Sequence, residues 1–448
     1  MLDLKPALQY SEGRSSPWSG SRLVNCFAET ADGDKRSAFA VMATPGLTLW
    51  ASAGDGPERG GIVVNGILYV VSGSTLYSVS IAGVVTALGT IAGSDPVRMA
   101  GNNTEVAIVG GTIGYVYSGS TLSTPLSYAV SDVTYADGYM LWVMDDSEQF
   151  FISALDDALT YDATDIASVE GFPDNIVGVV NDHRDIQFFG NDSTEIFYNS
   201  GAVDFPFVRQ GNAFIERGCF DRDSIIKTDN SVNFVGDDRV AYVLDGYKPR
   251  RISTHAVEKD LAAATYARGF AYDQEGHKFY GLELDGVSWL LDHSTGAWHQ
   301  RQSDGMDYWR VSGAVKAYNK TLLLDRVSGN IYTPDLDVFD ENGNTIAVDI
   351  YLPTLEYQRE RMSMYAFEVV CETGVGNAAV TDPQIMLRYS DDGGHRWSNE
   401  MWRSLGKIGE YSTLVKWHKL GRFRNRQMHL RITDSTRRLI ISYHADIA

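Results

Sequence analysis

A chain of 448 residues, 44% apolar and 11% aromatic with only 21% charged, has too many core-forming side chains to be disordered or low-complexity. Its 43 glycines against 12 prolines favour tight turns at positive φ, and hence β-structure. A formal net charge of −20 excludes general phosphate binding, because only a local concentration of cations can meet an anion on such a surface.

Residues 1–55 come first and differ in pattern from the rest of the chain. Trp18, a strand candidate at Arg22–Phe27 and a turn at Thr44-Pro45-Gly46-Leu47 suit a segment that caps or closes a larger unit. The opening Met1-Leu2-Asp3-Leu4-Lys5-Pro6 lacks a basic region followed by an apolar stretch, so no signal peptide is expected. Cys26, Cys219 and Cys371, odd in number and widely spaced, indicate neither a disulfide framework nor a zinc knuckle, which fits synthesis in a reducing compartment.

From 56 to 338 one pattern recurs seven times: an apolar run, a tight polar turn, and a second run with an aromatic near its start. The copies are Ile67–Val79, Val106–Tyr117, Tyr139–Ile152, Ile186–Tyr198, Val232–Leu244, Phe279–Leu291 and Thr321–Tyr332. Their aromatic markers, Tyr77, Tyr115, Phe151, Phe197, Tyr242, Trp289 and Tyr332, are 36 to 47 residues apart. That period suits four-stranded units. A repeat of about 40–45 residues without helical periodicity reads as a β-propeller, here of six to seven irregular blades. Residues 62–94 carry no formal charge, yet glycine and hydroxyl side chains interrupt them every few positions, so they read as consecutive buried strands and no membrane span is expected. Only Ala256–Ala267 has a helical composition. The fold class is therefore all-β.

Residues 339–448 change character. Strand-length runs at Ala347–Leu352, Tyr365–Glu372, Gln384–Tyr389, Leu414–Leu420, Gln427–Thr433 and Leu439–His444 suggest a β-sandwich or small barrel. From Ile385 onwards there are 12 Lys and Arg against 6 Asp and Glu, so this end is +6 and residues 1–384 carry −26. Within it Lys416, Lys419, Arg422, Arg424 and Arg426 interleave with Trp417, His418 and Phe423, and Arg431 comes soon after. Such interleaving serves nucleic-acid binders, but on so acidic a chain the favoured reading is an interface with the acidic part of a neighbouring subunit.

No GxxxxGK[ST], GxGxxG, HExxH or GxSxG occurs. His293 and His299 beside Asp292 are favoured as ordinary strand residues over a metal pair, and Asp145-Asp146, Asp237-Asp238 and Asp340-Glu341-Asn342-Gly343-Asn344 as turns over calcium loops. Ser390, Asp392, Gly394 and Trp397 match S-x-D-x-G-x-x-W, the Asp-box turn of sialidase-like propellers, whose role is structural. No catalytic residue, cofactor or metal is assigned, and no enzyme activity is expected. The alternative from this motif is a carbohydrate-binding or glycoside-hydrolysing tail propeller.

Ser21-Arg22-Leu23-Val24-Asn25-Cys26-Phe27-Ala28-Glu29, Thr44-Pro45-Gly46-Leu47, the Tyr389–Gly394 turn and the closing Arg431–His444 strands together resemble the tail-nozzle proteins of short-tailed bacteriophages, also called tail hub or packaged-DNA stabilisation proteins. That resemblance implies a structural component of the virion tail, assembled in the host cytoplasm. It further implies copies that form a homohexamer below the portal or head-to-tail adaptor, meet a tail needle or plug and fibres or spikes, and retain and then conduct double-stranded DNA without sequence-specific contacts.

Overall fold

The computed structural model describes residues 2–13, 20–30, 39–169, 171, 173–358 and 360–448; Trp18 lies outside the described residues. Each of the seven expected hairpins forms the middle pair of a blade of antiparallel strands. Blades one to six run from Glu58–Val64 to Val85–Thr90, Arg98–Gly101 to Thr121–Ser123, Val130–Ala136 to Ile166–Ser168, Ile176–Asp182 to Phe207–Ile215, Ile226–Thr228 to Lys248–Arg251, and Arg268–Gln274 to Ala297–Arg301. Blade seven takes Val311–Ala317, Lys320–Asp325 and Asn330–Asp335 from the same region. The propeller thus has seven blades among the described residues.

The reason for a ring lies in the cores. Each interface between successive blades holds its own buried cluster: Leu76 and Ile108 between blades one and two, Val116 and Trp142 between two and three, Phe150 and Phe188 between three and four. Phe189 and Phe234, Val235 and Tyr280, Phe270 and Leu323, and Leu322 and Leu68 continue the series back to blade one. Burying one such side chain is worth about 1.5–3 kcal/mol, and an open arc would leave one whole cluster wet. Val311–Ala317 packs on Glu58–Val64 and closes the circle.

The fourth strand of blade seven comes from the other end of the sequence. Gly46–Ser52 pairs antiparallel with Asn330–Asp335, from Gly46↔Asp335 to Ser52↔Asn330, with one bulge beside Ile331. Gly46 has to be glycine: a Cβ there would lie 2.5 Å from the carbonyl oxygens of Val338 and Asp340. The turn before it is held by Arg301, whose buried guanidinium donates to the Pro45 carbonyl at 3.0 Å and lies 3.7 Å from the Trp309 ring centre.

The C-terminal part is a two-sheet sandwich. One sheet orders Gly20–Val24, Val348–Tyr351, Asn425–Ile432, Gln384–Ser390 and Met401–Ser404; the other orders Cys26–Thr30, Phe39–Ala43, Leu439–Ile447, Met362–Cys371 and Val415–His418. Their shared core holds Leu23, Phe367, Leu387, Trp417, Met428 and Leu430. The first sheet runs on into blade six, since Gly20–Val24 lies beside Ala297–Arg301.

Here the single strand expected at Arg22–Phe27 is two. Asn25 sits at φ +56°, a left-handed conformation that asparagine tolerates better than most residues, and the chain passes from one sandwich sheet to the other across it. Its amide donates to the carbonyls of Gln302 and Ala347 at 3.0 and 2.8 Å, and its side-chain oxygen accepts the Gln302 N–H at 2.9 Å. The α-helix of the described residues, His255–Ala263, is shorter than the helical composition suggested and buries Ala256, Val257 and Leu261. No helix of the described residues is long and apolar enough to cross a membrane.

Propeller and sandwich are also tied by charge. Both ring nitrogens of His277 in blade six face carboxylates, Nδ1 on Asp292 and Nε2 on Glu29 of the sandwich, each at 2.8 Å. Burial alone would lower this histidine, but the hydrogen bonds and charges of Asp292 and Glu29 outweigh it and hold the imidazolium above its usual range. A raised folded-state value gives stability that is complete below the unfolded value, about 6.5, and is lost as pH rises through the higher folded value. Glu29→Gln should therefore destabilise the protein most near pH 6, with the gap to wild type narrowing towards pH 8.5 in chemical unfolding. A gap independent of pH would contradict the tie.

Candidate functional site

The sandwich gathers the polar residues singled out in the sequence. At the end of Gln384–Ser390 the Ser390 hydroxyl donates to Asp392 Oδ1 at 2.8 Å, and the N–H groups of Gly394 and Arg396 donate to Ser390 Oγ and Asp392 Oδ1, each at 2.8 Å. Gly393 and Gly394 supply φ of +76° and +93°. These bonds, the Arg396 N–H foremost, hold the Asp392 carboxyl below the ordinary carboxylate range. Trp397 then packs edge-on against Tyr351 and His429 at 5.6 and 5.7 Å. Ser390, Asp392, Gly394 and Trp397 thus meet in one turn that shapes the sandwich surface.

The six cations divide by environment. Arg426 does not belong to the exposed surface expected of it, because it is 1% exposed and its charge is spent inside the fold. Its Nε and Nη2 donate to the two oxygens of Asp391 at 2.7 and 2.8 Å, Nη1 donates to the Leu420 carbonyl, and Tyr389 and Phe423 flank the guanidinium at 3.9 and 4.3 Å. Lys416 pairs with Glu368 at 3.3 Å, and Arg431 with Asp349 at 3.2 Å. Lys419, Arg422 and Arg424 are exposed and have no ion-pair partner among the described residues.

Those three line the segment that borders Met362–Cys371, where Lys419 N–H donates to the Tyr365 carbonyl and Arg422 pairs with Ser363. The ring of Tyr365 is 57% exposed, and that of Tyr357, near the strand pair Glu356↔Asn425, is 62% exposed. Exposed tyrosines beside unpaired arginines are the composition of an interface rather than of plain solvated surface. Neither tyrosine is marked in the sequence, since nothing in an isolated strand says which aromatic faces out.

Elsewhere charge is consumed within the ring. Arg98 joins blade two to Asp132 of blade three at 2.9 Å, and Asp132 accepts the Val179 N–H of blade four at 2.9 Å. Arg268 of blade six donates to the Arg59 carbonyl of blade one and the Ser312 hydroxyl of blade seven. His299 is buried, its charged form disfavoured by burial and held to about 3, so it packs on Phe27 and Phe279 as a neutral ring. Asp237 and Asp238 both meet Arg217 at 3.1 Å, and Asp340 accepts the Gly343 N–H in an Asn-Gly turn. Among the described residues no group of three His, Cys, Asp or Glu is placed to hold a metal ion.

Two family models match most of the chain: "Bacteriophage P22 Gp10, beta-propeller" over residues 10–338 and "Bacteriophage P22 Gp10, beta-sandwich" over residues 347–448. The chain belongs to the bacteriophage P22 Gp10 family. It is thereby a bacteriophage structural protein, built of a propeller and a sandwich. No curated protein matches it. Among solved structures it is similar to the propeller domain of Cps50 (Swd1) of Myceliophteria thermophila, at 7% identity and TM-score 0.44, over 64% of this chain and 99% of that one. Streptogramin B lyase, at 9% identity and TM-score 0.46, and the WD40 propeller of Doa1, at 10% and 0.40, are each matched over 64% of this chain and 97% of theirs.

The Arg426–Asp391 pair has a consequence for stability. Asp391→Asn removes the countercharge of a buried guanidinium and should cost about 2 kcal/mol, below the usual loss for a broken buried pair because Asp391 is partly exposed. Arg424→Gln, two residues away and exposed, should change stability by less than about 0.5 kcal/mol. Equal losses in thermal unfolding would contradict this division.

Proposed function

We propose that this protein is a tail-nozzle subunit. Copies associate head to tail into a homohexameric ring in the virion tail, assembled in the host cytoplasm, below the portal or adaptor. The ring meets a needle or plug and fibres or spikes, retains the packaged DNA and conducts it during ejection. No enzymatic step is part of the proposal.

The observation that carries it is the unpaired set Lys419, Arg422 and Arg424 on the sandwich of an otherwise strongly acidic member of a phage structural family. Duplex DNA carries about one charge per 1.7 Å, so a wall rich in cations would hold it through released counterions, whereas an acidic wall lets it slide. A net −20 per copy suits a conduit, and the cations suit subunit contacts.

Arg422→Glu with Arg424→Glu tests the assembly, since both side chains are exposed and Arg426 is left in place. Native mass spectrometry at low ionic strength should show six-membered rings for wild type and mostly smaller species for the variant, with unchanged thermal unfolding. Intact rings in the variant would count against these cations as the contact.

A further inference from the structure

The acidic half of such a contact is visible on the opposite side of the molecule. Residues 99–183 contain 13 Asp and Glu and not one Lys or Arg, which places the acid on blades two and three and the start of blade four. Some of it is internal: Asp132 is paired with Arg98, and Glu105 accepts bonds from Asn102 and Ala158. Asp156, Asp157, Asp162 and Asp165, on the segment that carries Leu155 and Leu159, have no ion-pair partner among the described residues. Around them the surface is apolar where solvent should favour polar side chains. Leu155 is 60% exposed, and Leu159 and Tyr128 are exposed beside a cleft of about 360 Å³ floored by Phe151 and Leu126.

Acid alone would suit a surface that faces DNA. Exposed leucines and a tyrosine over a cleft do not, because an apolar patch in water is stabilised only when something covers it. The cover has to be cationic and aromatic, and a second copy of this chain offers that on its sandwich, at Lys419, Arg422, Arg424, Tyr357 and Tyr365.

Placement supports this pairing over a two-fold one. The sandwich joins the ring at blades six and seven, through Gly20–Val24 beside Ala297–Arg301 and through Gly46–Ser52 in blade seven. In a seven-bladed circle blade three stands three to four places from both, across the axis. Basic and acidic surfaces on opposite sides of one molecule do not both fit within a single two-fold contact, but they satisfy each other copy after copy around a ring.

We infer that the outer surface of blade three, with Leu155, Leu159, Tyr128 and the surrounding carboxylates, is the docking surface for the sandwich of the next copy. This rests on the proposed ring and names its second face. The test is a charge exchange. Asp156→Lys, Asp162→Lys and Asp165→Lys in one chain should weaken ring formation at low salt by about tenfold or more, as Arg422→Glu with Arg424→Glu does. Mixing the two altered chains, each unable to form rings alone, should restore alternating rings in native mass spectrometry. A misfolded variant could not do this.

Leu155→Ser, which leaves every charge in place, should also loosen the rings. Wild type that remains monomeric at low salt would overturn the ring itself. Wild-type rings with an intact acid-face variant, or no rescue on mixing, would overturn only this docking surface.

Discussion

One strand pairing carries the architecture. Gly46–Ser52 completes the last blade, and it must leave the sandwich and reach the propeller within the two residues Thr44 and Pro45. The strands Gly20–Val24, Cys26–Thr30 and Phe39–Ala43 upstream of it belong to the sandwich, so the same short segment that closes the ring also fixes the sandwich against blades six and seven. Loop closure over so long a stretch is costly in entropy, and it is offset because the final inter-blade cores form only when the circle is complete. Arg301, Trp309 and Glu341 hold the crossing point: the Trp309 indole donates to Glu341 at 2.8 Å while Arg301 stacks on its face.

This geometry gives charge its meaning. Arg98 and Arg268 on inner strands are consumed between blades, and Arg426 is consumed beneath the Ser390–Trp397 turn, so a count of basic residues overstates what the surface offers. Among the groups that remain unpaired, Lys419, Arg422 and Arg424 stand with tyrosines on the sandwich, and the carboxylates of blade three stand with leucines across the ring. A structural protein that assembles by contact with its own kind needs such unlike ends, and a family of phage structural proteins is where the chain belongs.

How much of this was legible depended on the range of the interactions. The seven hairpins were readable because their determinants are local: alternating apolar runs about turns such as Gly73, Asp146 and Gly286, each at positive φ. The longer C-terminal strands were readable likewise, apart from Met401–Ser404, four residues with Trp402 and Arg403 facing solvent and no apolar run to announce them; the two-residue strands Leu355–Glu356 and Arg422–Phe423 were too short to read. The kink at Asn25 was not, because an asparagine inside an apolar run reads as an ordinary strand residue until its partners at Gln302 and Ala347, some 300 positions on, are known. Arg426 was misplaced for the same reason, its partner Asp391 lying in a different hairpin. His277, clamped between Asp292 and Glu29, escaped notice while the less informative His293 and His299 drew it, since proximity in sequence is a poor guide to proximity across a sheet.

The account stands on the closing strand being part of the cooperative core. Native-state hydrogen exchange of the amides of Gly46–Ser52 that bond to Asn330–Asp335 measures this directly. If closure holds ring and sandwich together, these amides exchange only in the global unfolding event, at the same free energy as those of Val311–Ala317 on the inner side of the blade. Exchange of Gly46–Ser52 at far lower free energy, with the rest of blade seven still protected, would show that the ring closes without it and would contradict the account.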